Sequence, residues 1–179
     1  VFADIKPSDG TIDPKHVEAL ITPYTKAVVA VDFSGIPCDT DALRAICDSH
    51  GIALVSDCSH AHGSKWKGKS VGSFADIAAF SCMPLKLLGV GECGMVLTHR
   101  QDYYDAAFSY HHAGRERGEE SRDHTWPATT LRVSEFEAAI GCVAITRLDE
   151  QADLRWANAQ RLIAGLREIP GLAPVDLDE

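Results

Sequence analysis

The chain has 179 residues, 45% of them hydrophobic and 24% charged, a composition typical of a soluble globular domain. Its formal net charge of −9 argues against nonspecific nucleic-acid binding, which depends on basic patches that neutralise phosphates. We expect no membrane span and no secretory signal from these residues, and six cysteines without a C-x-x-C pair fit buried free thiols in a cytoplasmic protein.

Apolar runs of strand length alternate with helical patterns in the first third of the chain. Residues 1–5 predict a short strand, and Asp13 before Pro14 predicts the start of a helix. Residues 26–33 and 52–57 are apolar runs typical of strands buried on both faces of a parallel sheet, and a helix is predicted between them, beginning at Asp39 or Thr40 and ending at Gly51. This order predicts a three-layer α/β/α fold with a mostly parallel sheet.

The second part of the chain continues this alternation and then becomes helical. Strands are predicted near residues 76–82 and 94–99, and a helix over 100–111. Residues 110–130 are charged and lack periodicity, which predicts a functional or mobile loop. From residue 133 a long amphipathic helix is predicted, broken at most near Gly141 and ending at Pro170.

Three polar residues stand at or just after the ends of two predicted strands. Asp57 ends one strand, Ser81 lies at the end of a later strand, and Lys86 follows five residues further on. In an open α/β sheet, ligands bind beyond the carboxyl ends of the strands. A pyridoxal phosphate site needs a lysine for the Schiff base, a carboxylate for the ring nitrogen and donors for the phosphate. These residues therefore predict Lys86, Asp57 and Ser81 in those three roles.

Other interpretations of this stretch are open. An Asp at a strand end is often a turn or cap residue, and this applies equally to Asp32 after the preceding strand. Asp57, His60 and His62 also have the spacing of a D-x-x-H-x-H metal site for zinc or iron, although that leaves Lys86 unexplained. For His62 we predict a structural role. Lys65, Lys67 and Lys69 form a solvated, charged turn.

The local sequence motifs favour the cofactor interpretation. The segments DCSHAHGS, KGKSVGSFADIAAFSC, MPLK and GECGMVLT follow one another in this order. Together they resemble the DegT/DnrJ/EryC1/StrS sugar aminotransferase family, a fold-type-I pyridoxal phosphate group, with Cys82 where an aromatic residue is usual. The segment TLRVSEFEAAIG resembles the helix that follows in that family.

The resemblance implies a role for each matching residue. Lys86 and Asp57 would be the catalytic pair, His60 would lie beside the cofactor ring, and Ser81 would bind the phosphate. Thr130 stands where the family has an Asn that reaches the phosphate from the partner subunit, and its hydroxyl puts that contact in doubt.

Two further features carry over with a less defined role. Glu92 belongs to the Gly-Glu-x-Gly turn after the lysine, where it fixes the turn at least. His111, His112 and Arg115 match a polar loop that contacts a nucleotide sugar or the other subunit, and a plain surface loop is an equal alternative.

The resemblance also implies the organisation and activity of the parent protein. Residues 1–130 would be part of a cofactor-binding large domain, and 131–179 a long helix leading into a small C-terminal domain, so the chain reads as an internal fragment. The implied function is transfer of an amino group, from glutamate, to a nucleotide-linked keto sugar by a homodimer. The alternative is a truncated or split, non-catalytic homologue that needs a partner chain.

Overall fold

A four-stranded sheet forms the centre of the computed structural model, which describes residues 1–118 and 124–175. The strands are β1 (Ala27–Val31), β2 (Ala53–Asp57), β3 (Lys65–Trp66), β4 (Lys69–Ser70), β5 (Ile77–Ser81) and β6 (Gly94–Leu97). The main sheet has the order β1-β2-β5-β6, in which the first three strands are parallel and β6 is antiparallel to β5. The predicted α/β fold with a mostly parallel sheet is confirmed.

Five α-helices of the described residues accompany this sheet, and the first two of them pack against its parallel strands. They are α1 (Pro14–Leu20), α2 (Thr40–His50), α3 (Gln101–His111), α4 (Glu135–Ala144) and α5 (Leu148–Arg167). Asp13 caps α1 by accepting the Lys15 N–H, Asp39 caps α2 by accepting the Ala42 N–H, and Gly51 ends α2 in the left-handed conformation. These boundaries match the sequence prediction because each depends on a local hydrogen bond or dihedral angle.

The core lies between α1, α2 and the parallel strands. Leu43 and Cys47 on α2 and Leu54 on β2 are completely buried there, against Val28 and Ala30 of β1. Burying each large apolar side chain stabilises the fold by about 1.5–3 kcal/mol, so this cluster fixes which face of the strands points toward the helices.

Burial alternates along β1, which differs from the prediction of a strand buried on both faces. Val29 and Val31 keep 57% and 41% of their surface exposed, whereas Val28 and Ala30 are buried. The apolar run was an unreliable guide because α1 and α2 pack on only one face of this strand. Residues 1–5 also form no strand, and only an isolated bridge joins Ile5 to Ile12.

The long C-terminal helix is interrupted later than predicted. A short 3₁₀ turn at Ile145–Arg147 separates α4 from α5, whereas Gly141 remains inside α4. The Thr146 hydroxyl donates to the Val143 carbonyl at 2.8 Å, a bond that tightens the turn at this point. The predicted loop over 110–130 begins only after α3 ends at His111, and its residues 119–123 lie outside the described residues.

The remaining differences are small. The lysine-rich turn forms a hairpin, β3–β4, that the sequence did not predict. Among the helices of the described residues, none combines the length and apolar character needed to cross a membrane.

Candidate active site

The parallel strands bring three predicted polar positions to one edge of the sheet. Val31 pairs with Asp57, and Asp57 pairs with Ala79. Asp57 and Ser81 therefore end adjacent strands, and Asp32 follows the end of the third. The Asp32 N–H donates to the Asp57 carbonyl at 3.0 Å, which continues the ladder to the edge. The topology therefore places this set where ligands of α/β sheets bind.

Asp57 has a carboxylate that is largely uncommitted. Its Oδ1 accepts the Ser59 N–H at 3.0 Å, a bond that orients the side chain beyond the strand end. No other hydrogen bond or ion pair reaches this carboxylate from the described residues, and the residue is half-buried. One oxygen thus remains available to accept from a ligand.

Asp32 has the opposite environment at the end of the neighbouring strand. It is 1% exposed, and its Oδ1 accepts the Cys38 N–H at 2.9 Å. Its Oδ2 accepts from the Ser56 hydroxyl at 3.2 Å and from the Cys58 thiol at 3.3 Å. Both oxygens are used inside the protein, so Asp32 is a structural carboxylate and does not border an open site.

The two thiols near Asp32 are held in the protonated state. Burial, reinforced by the negative charge of Asp32, raises the pKa of Cys38 to about 12. Burial likewise raises the pKa of Cys58 to about 12, although the bond from Ser56 partly offsets this. At neutral pH these groups donate hydrogen bonds and do not act as nucleophiles.

His60 and His62 diverge after β2. The exposed His60 accepts the Ser34 N–H on Nδ1 at 3.3 Å, and its ring centroid lies 5.5 Å from that of Phe33. It therefore contacts the turn after β1, and the structure places it at the edge of the predicted site.

His62 is buried next to the turn of residues 83–92 that carries Lys86, which we call the lysine turn. It is 5% exposed, with its ring 5.4 Å from that of Phe80, and neither ring nitrogen makes a standard hydrogen bond with the described residues. Burial lowers the pKa of His62; the Ser81 carbonyl opposes this effect, and the positive charge of Lys86 adds to it. The imidazole is therefore neutral at pH 7 and lies near both Ser81 and Lys86.

Lys86 lies in a tight turn between β5 and β6. Its N–H donates to the Met83 carbonyl at 2.8 Å, and Gly89 faces the Pro84 carbonyl so closely that a Cβ there would lie 2.6 Å from that oxygen. The Lys86 amine, which is partly buried, forms no ion pair or hydrogen bond with any residue that the structure describes. No described side chain competes with a ligand for this amine.

A cavity of about 860 Å³ opens beside this turn, between β5, β6, α3 and residues 130–133. Ser81 and Thr130 both line it, together with Glu92, His111 and Arg132. Asp57, His60 and Lys86 lie outside its wall. The structure thus brings Ser81 and Thr130 to one cavity and Asp57 to the adjacent strand end.

The predicted polar loop packs against the end of α3. Thr130 forms a β-bridge with His112, and the His112 Nδ1 lies 3.2 Å from the Arg132 guanidinium. The His112 pKa is lowered by partial desolvation and by the charge of Arg132. The Arg115 Nε is buried without a hydrogen-bond partner among the described residues.

The donor set fits pyridoxal phosphate. A free primary amine, a carboxylate with an open oxygen and a hydroxyl are the three groups that its aldehyde, ring nitrogen and phosphate require. Lys86, Asp57 and Ser81 carry groups of these three kinds and lie at or next to one end of the sheet, and they are the residues that would hold the cofactor. By contrast, no group of three or more His, Cys, Asp or Glu side chains in the described residues is arranged to hold a metal ion. The metal interpretation of Asp57, His60 and His62 therefore has no geometric support.

The sequence analysis left the role of Asp32 open and missed Glu137. Asp32 could not be distinguished from Asp57, because its partners Cys38 and Cys58 come from separate loops. Glu137 forms a capping box with Ser134 and also reaches the lysine turn. The S-x-x-E spacing before an apolar run was the available signal for that box.

Comparison with known proteins adds independent information. The model of the DegT/DnrJ/EryC1/StrS aminotransferase family matches residues 1–179. L-glutamine:2-deoxy-scyllo-inosose aminotransferase of Streptoalloteichus tenebrarius is 38% identical over 97% of this chain and 43% of its own length. The dTDP-3-amino-3,4,6-trideoxy-alpha-D-glucose transaminase of Micromonospora megalomicea subsp. nigra is 38% identical over 94% of this chain and 45% of its own length.

Solved structures agree with this match. The crystal structure of 3-amino-5-hydroxybenzoic acid synthase superposes with a TM-score of 0.94 at 35% identity, covering 99% of this chain and 47% of that one. The structural neighbours have the type-I fold. The chain spans less than half the length of these relatives.

Proposed function

Because this chain belongs to the DegT/DnrJ/EryC1/StrS aminotransferase family, we propose that it forms part of a pyridoxal phosphate-dependent aminotransferase. The observation that carries the proposal is the free Lys86 amine next to the sheet edge at which Asp57 presents an open carboxylate oxygen. The Lys86 amine has no hydrogen-bond or ion-pair partner in the described structure, and Asp57 has one, the Ser59 N–H, which leaves its second oxygen open to a ligand.

The cofactor, when bound, supplies the electron sink that stabilises a carbanion at the substrate Cα. Asp57 would accept a hydrogen bond from the protonated ring nitrogen and favour its charged form. Lys86 would bind the aldehyde through Nζ and, once released, carry the proton that leaves the donor's Cα. Ser81 would donate to the phosphate, and Thr130 lies across the same cavity from it.

The proposed acceptor is a keto sugar linked to a nucleotide. The support is the names of two relatives, one a transaminase named for a dTDP-linked amino sugar and the other an aminotransferase named for 2-deoxy-scyllo-inosose. Arg132 and His111 on the cavity wall are the groups of this chain suited to an anionic or hydroxyl-rich substrate. The parent protein is proposed to act as a cytoplasmic homodimer.

The donor is proposed to be glutamate, and a half-reaction tests both donor and function. The chain is loaded with pyridoxal phosphate and mixed with glutamate or glutamine, and the released keto acid is identified by mass spectrometry. Stoichiometric 2-oxoglutarate from glutamate, absent in Lys86→Ala, supports the proposal. The keto acid of glutamine would replace the donor assignment. No keto acid from either donor would contradict aminotransfer by this chain and favour the alternative of a homologue that needs a partner.

A further inference from the structure

The turn that carries Lys86 is attached to the first turn of α4 by one carboxylate. The Glu137 Oε1 accepts the Glu92 N–H at 2.9 Å, across 45 positions of sequence. Its Oε2 accepts the Ser134 N–H at 3.2 Å and the Ser134 hydroxyl at 2.7 Å. A single side chain therefore closes the helix cap and holds the far end of the lysine turn.

Backbone geometry at the contact depends on this arrangement. Gly91 adopts a φ of +144°, and a Cβ at this position would lie 2.6 Å from the Glu137 Oε1. A side chain at residue 91 would thus both strain the backbone and displace the carboxylate. The glycine allows Glu137 to approach the Glu92 amide.

Apolar packing supports the same attachment. The position of a Cβ on Gly141 in α4 would lie 3.6 Å from the Val90 side chain. Leu87 and Gly89 of the lysine turn line a cleft together with Ile140 and Val143 of α4. The lysine turn therefore approaches α4 closely at Val90, and Glu137 supplies a hydrogen bond between the two.

We propose that Glu137 is a positioning residue for Lys86: its carboxylate fixes the turn of residues 83–92 on α4 and so holds the Lys86 amine where the cofactor aldehyde must meet it. The positioning role of Glu137 rests on the proposed function, because only a reaction of Lys86 with the cofactor makes the position of its amine matter. The attachment itself is a property of this chain and is measurable without cofactor.

The first test measures amide exchange of the turn without cofactor. Glu137→Ala removes the acceptor of the Glu92 N–H, and we expect that amide to exchange about tenfold faster, the effect of losing one charge-assisted hydrogen bond. Glu137→Gln keeps an oxygen acceptor and should restore most of the protection. Glu135→Ala removes a carboxylate from the same helix turn without touching the lysine turn, and serves as the matched control.

The second test measures the reaction of Lys86 itself. The rate at which borohydride fixes pyridoxal phosphate on Lys86 should fall about tenfold in Glu137→Ala, stay near wild type in Glu135→Ala and recover in Glu137→Gln. Ser134→Ala weakens the helix cap but keeps the Glu137 to Glu92 contact, so its Lys86 rate should change little. That variant separates positioning of the lysine from simple destabilisation of α4.

The outcomes distinguish this inference from the proposed function. Equal exchange and equal Lys86 rates in Glu137→Ala and Glu135→Ala would overturn the positioning role. An equal loss of rate in Ser134→Ala would also overturn it, since cap stability would then explain the effect. Failure of the wild type to react with the cofactor, with faster exchange in Glu137→Ala, would refute the proposed function while the attachment stands.

Discussion

Asp32 and Asp57 are the same residue type at the ends of adjacent strands, yet the structure uses them in opposite ways. Asp32 is buried and accepts three hydrogen bonds from Cys38, Ser56 and Cys58. Asp57 accepts one, from the next loop, and keeps an oxygen free. The comparison shows that two carboxylates at the same edge of the sheet differ in the number of internal donors around them, and we propose that the one with an open oxygen, Asp57, is the one that binds a ligand.

Thiol reactivity gives the largest expected contrast. Cys38 and Cys58 have pKa values raised to about 12, so their thiolate fraction at pH 8 is about 10³-fold below that of a solvated thiol with a pKa near 8.5. We expect iodoacetamide to modify the exposed Cys142 in the folded chain, and Cys38 and Cys58 only after unfolding in urea. Peptide mass spectrometry against time measures this. Fast labelling of Cys58 in the folded state would show that the buried group of Asp32 and its hydrogen-bond donors is accessible to solvent.

Removal of the buried carboxylate should cost the most stability. Asp32→Ala leaves the Cys38 N–H and two side-chain donors without an acceptor, and we expect a loss of about 3 kcal/mol, or two orders of magnitude in the unfolding equilibrium. Urea denaturation of Asp32→Ala and Asp57→Ala measures the contrast. The Asp57 variant should lose less than about 1 kcal/mol, because it breaks only one half-exposed bond. Equal losses would remove the distinction between the two carboxylates.

For affinity toward the cofactor we expect the opposite order, with the larger effect at Asp57. Asp57→Asn keeps the shape and the Ser59 contact but lacks the charge that favours a protonated ring nitrogen, so affinity for pyridoxal phosphate should fall about tenfold or more. Equilibrium titration followed by absorbance measures the affinity, with Asp39→Asn, a change at the N-cap of α2, as the control carboxylate. Unchanged affinity in Asp57→Asn would remove Asp57 from the site.

The smallest effect concerns His62, which lies near the lysine turn. Folding lowers its pKa below the value of about 6.5 in an unfolded chain, so the unfolded state takes up the proton first as the pH falls. This contribution to stability is therefore complete well above pH 6.5 and is lost below it, by at most about 1.4 kcal/mol at pH 5.5. Unfolding curves of wild type and His62→Gln at pH 7.5 and 5.5 measure it. An identical pH dependence in both proteins would contradict a buried, neutral His62.

The sequence was informative for features that depend on a single strand end or a single helix end. The positions of Asp57 and Ser81 could be predicted because parallel strands end at a common edge, and the caps at Asp13, Asp39 and Gly51 are local signals. The roles of Asp57, Ser81 and Lys86 in a cofactor site stay predictions. The open face of β1 could not be predicted, since its exposure depends on which neighbours pack there. Asp32 and Glu137 depend on contacts across many positions, such as the 45 between Glu92 and Glu137.

The domain boundary near residue 130 and the partner contact of Thr130 stay predictions. Thr130 is bridged to His112 in the same chain and lines the cavity with Ser81, which is compatible with either a contact within the chain or one between subunits.

The most direct test of the central claim is the chemical identity of the reactive lysine. The chain is incubated with pyridoxal phosphate, reduced with borohydride, digested and mapped by mass spectrometry, beside Lys86→Ala. The account predicts an absorption band in the wild type and one labelled peptide, the one containing Lys86, with neither in the variant. Label on the exposed Lys65, Lys67 or Lys69, or equal labelling of the variant, would contradict the assignment of Lys86.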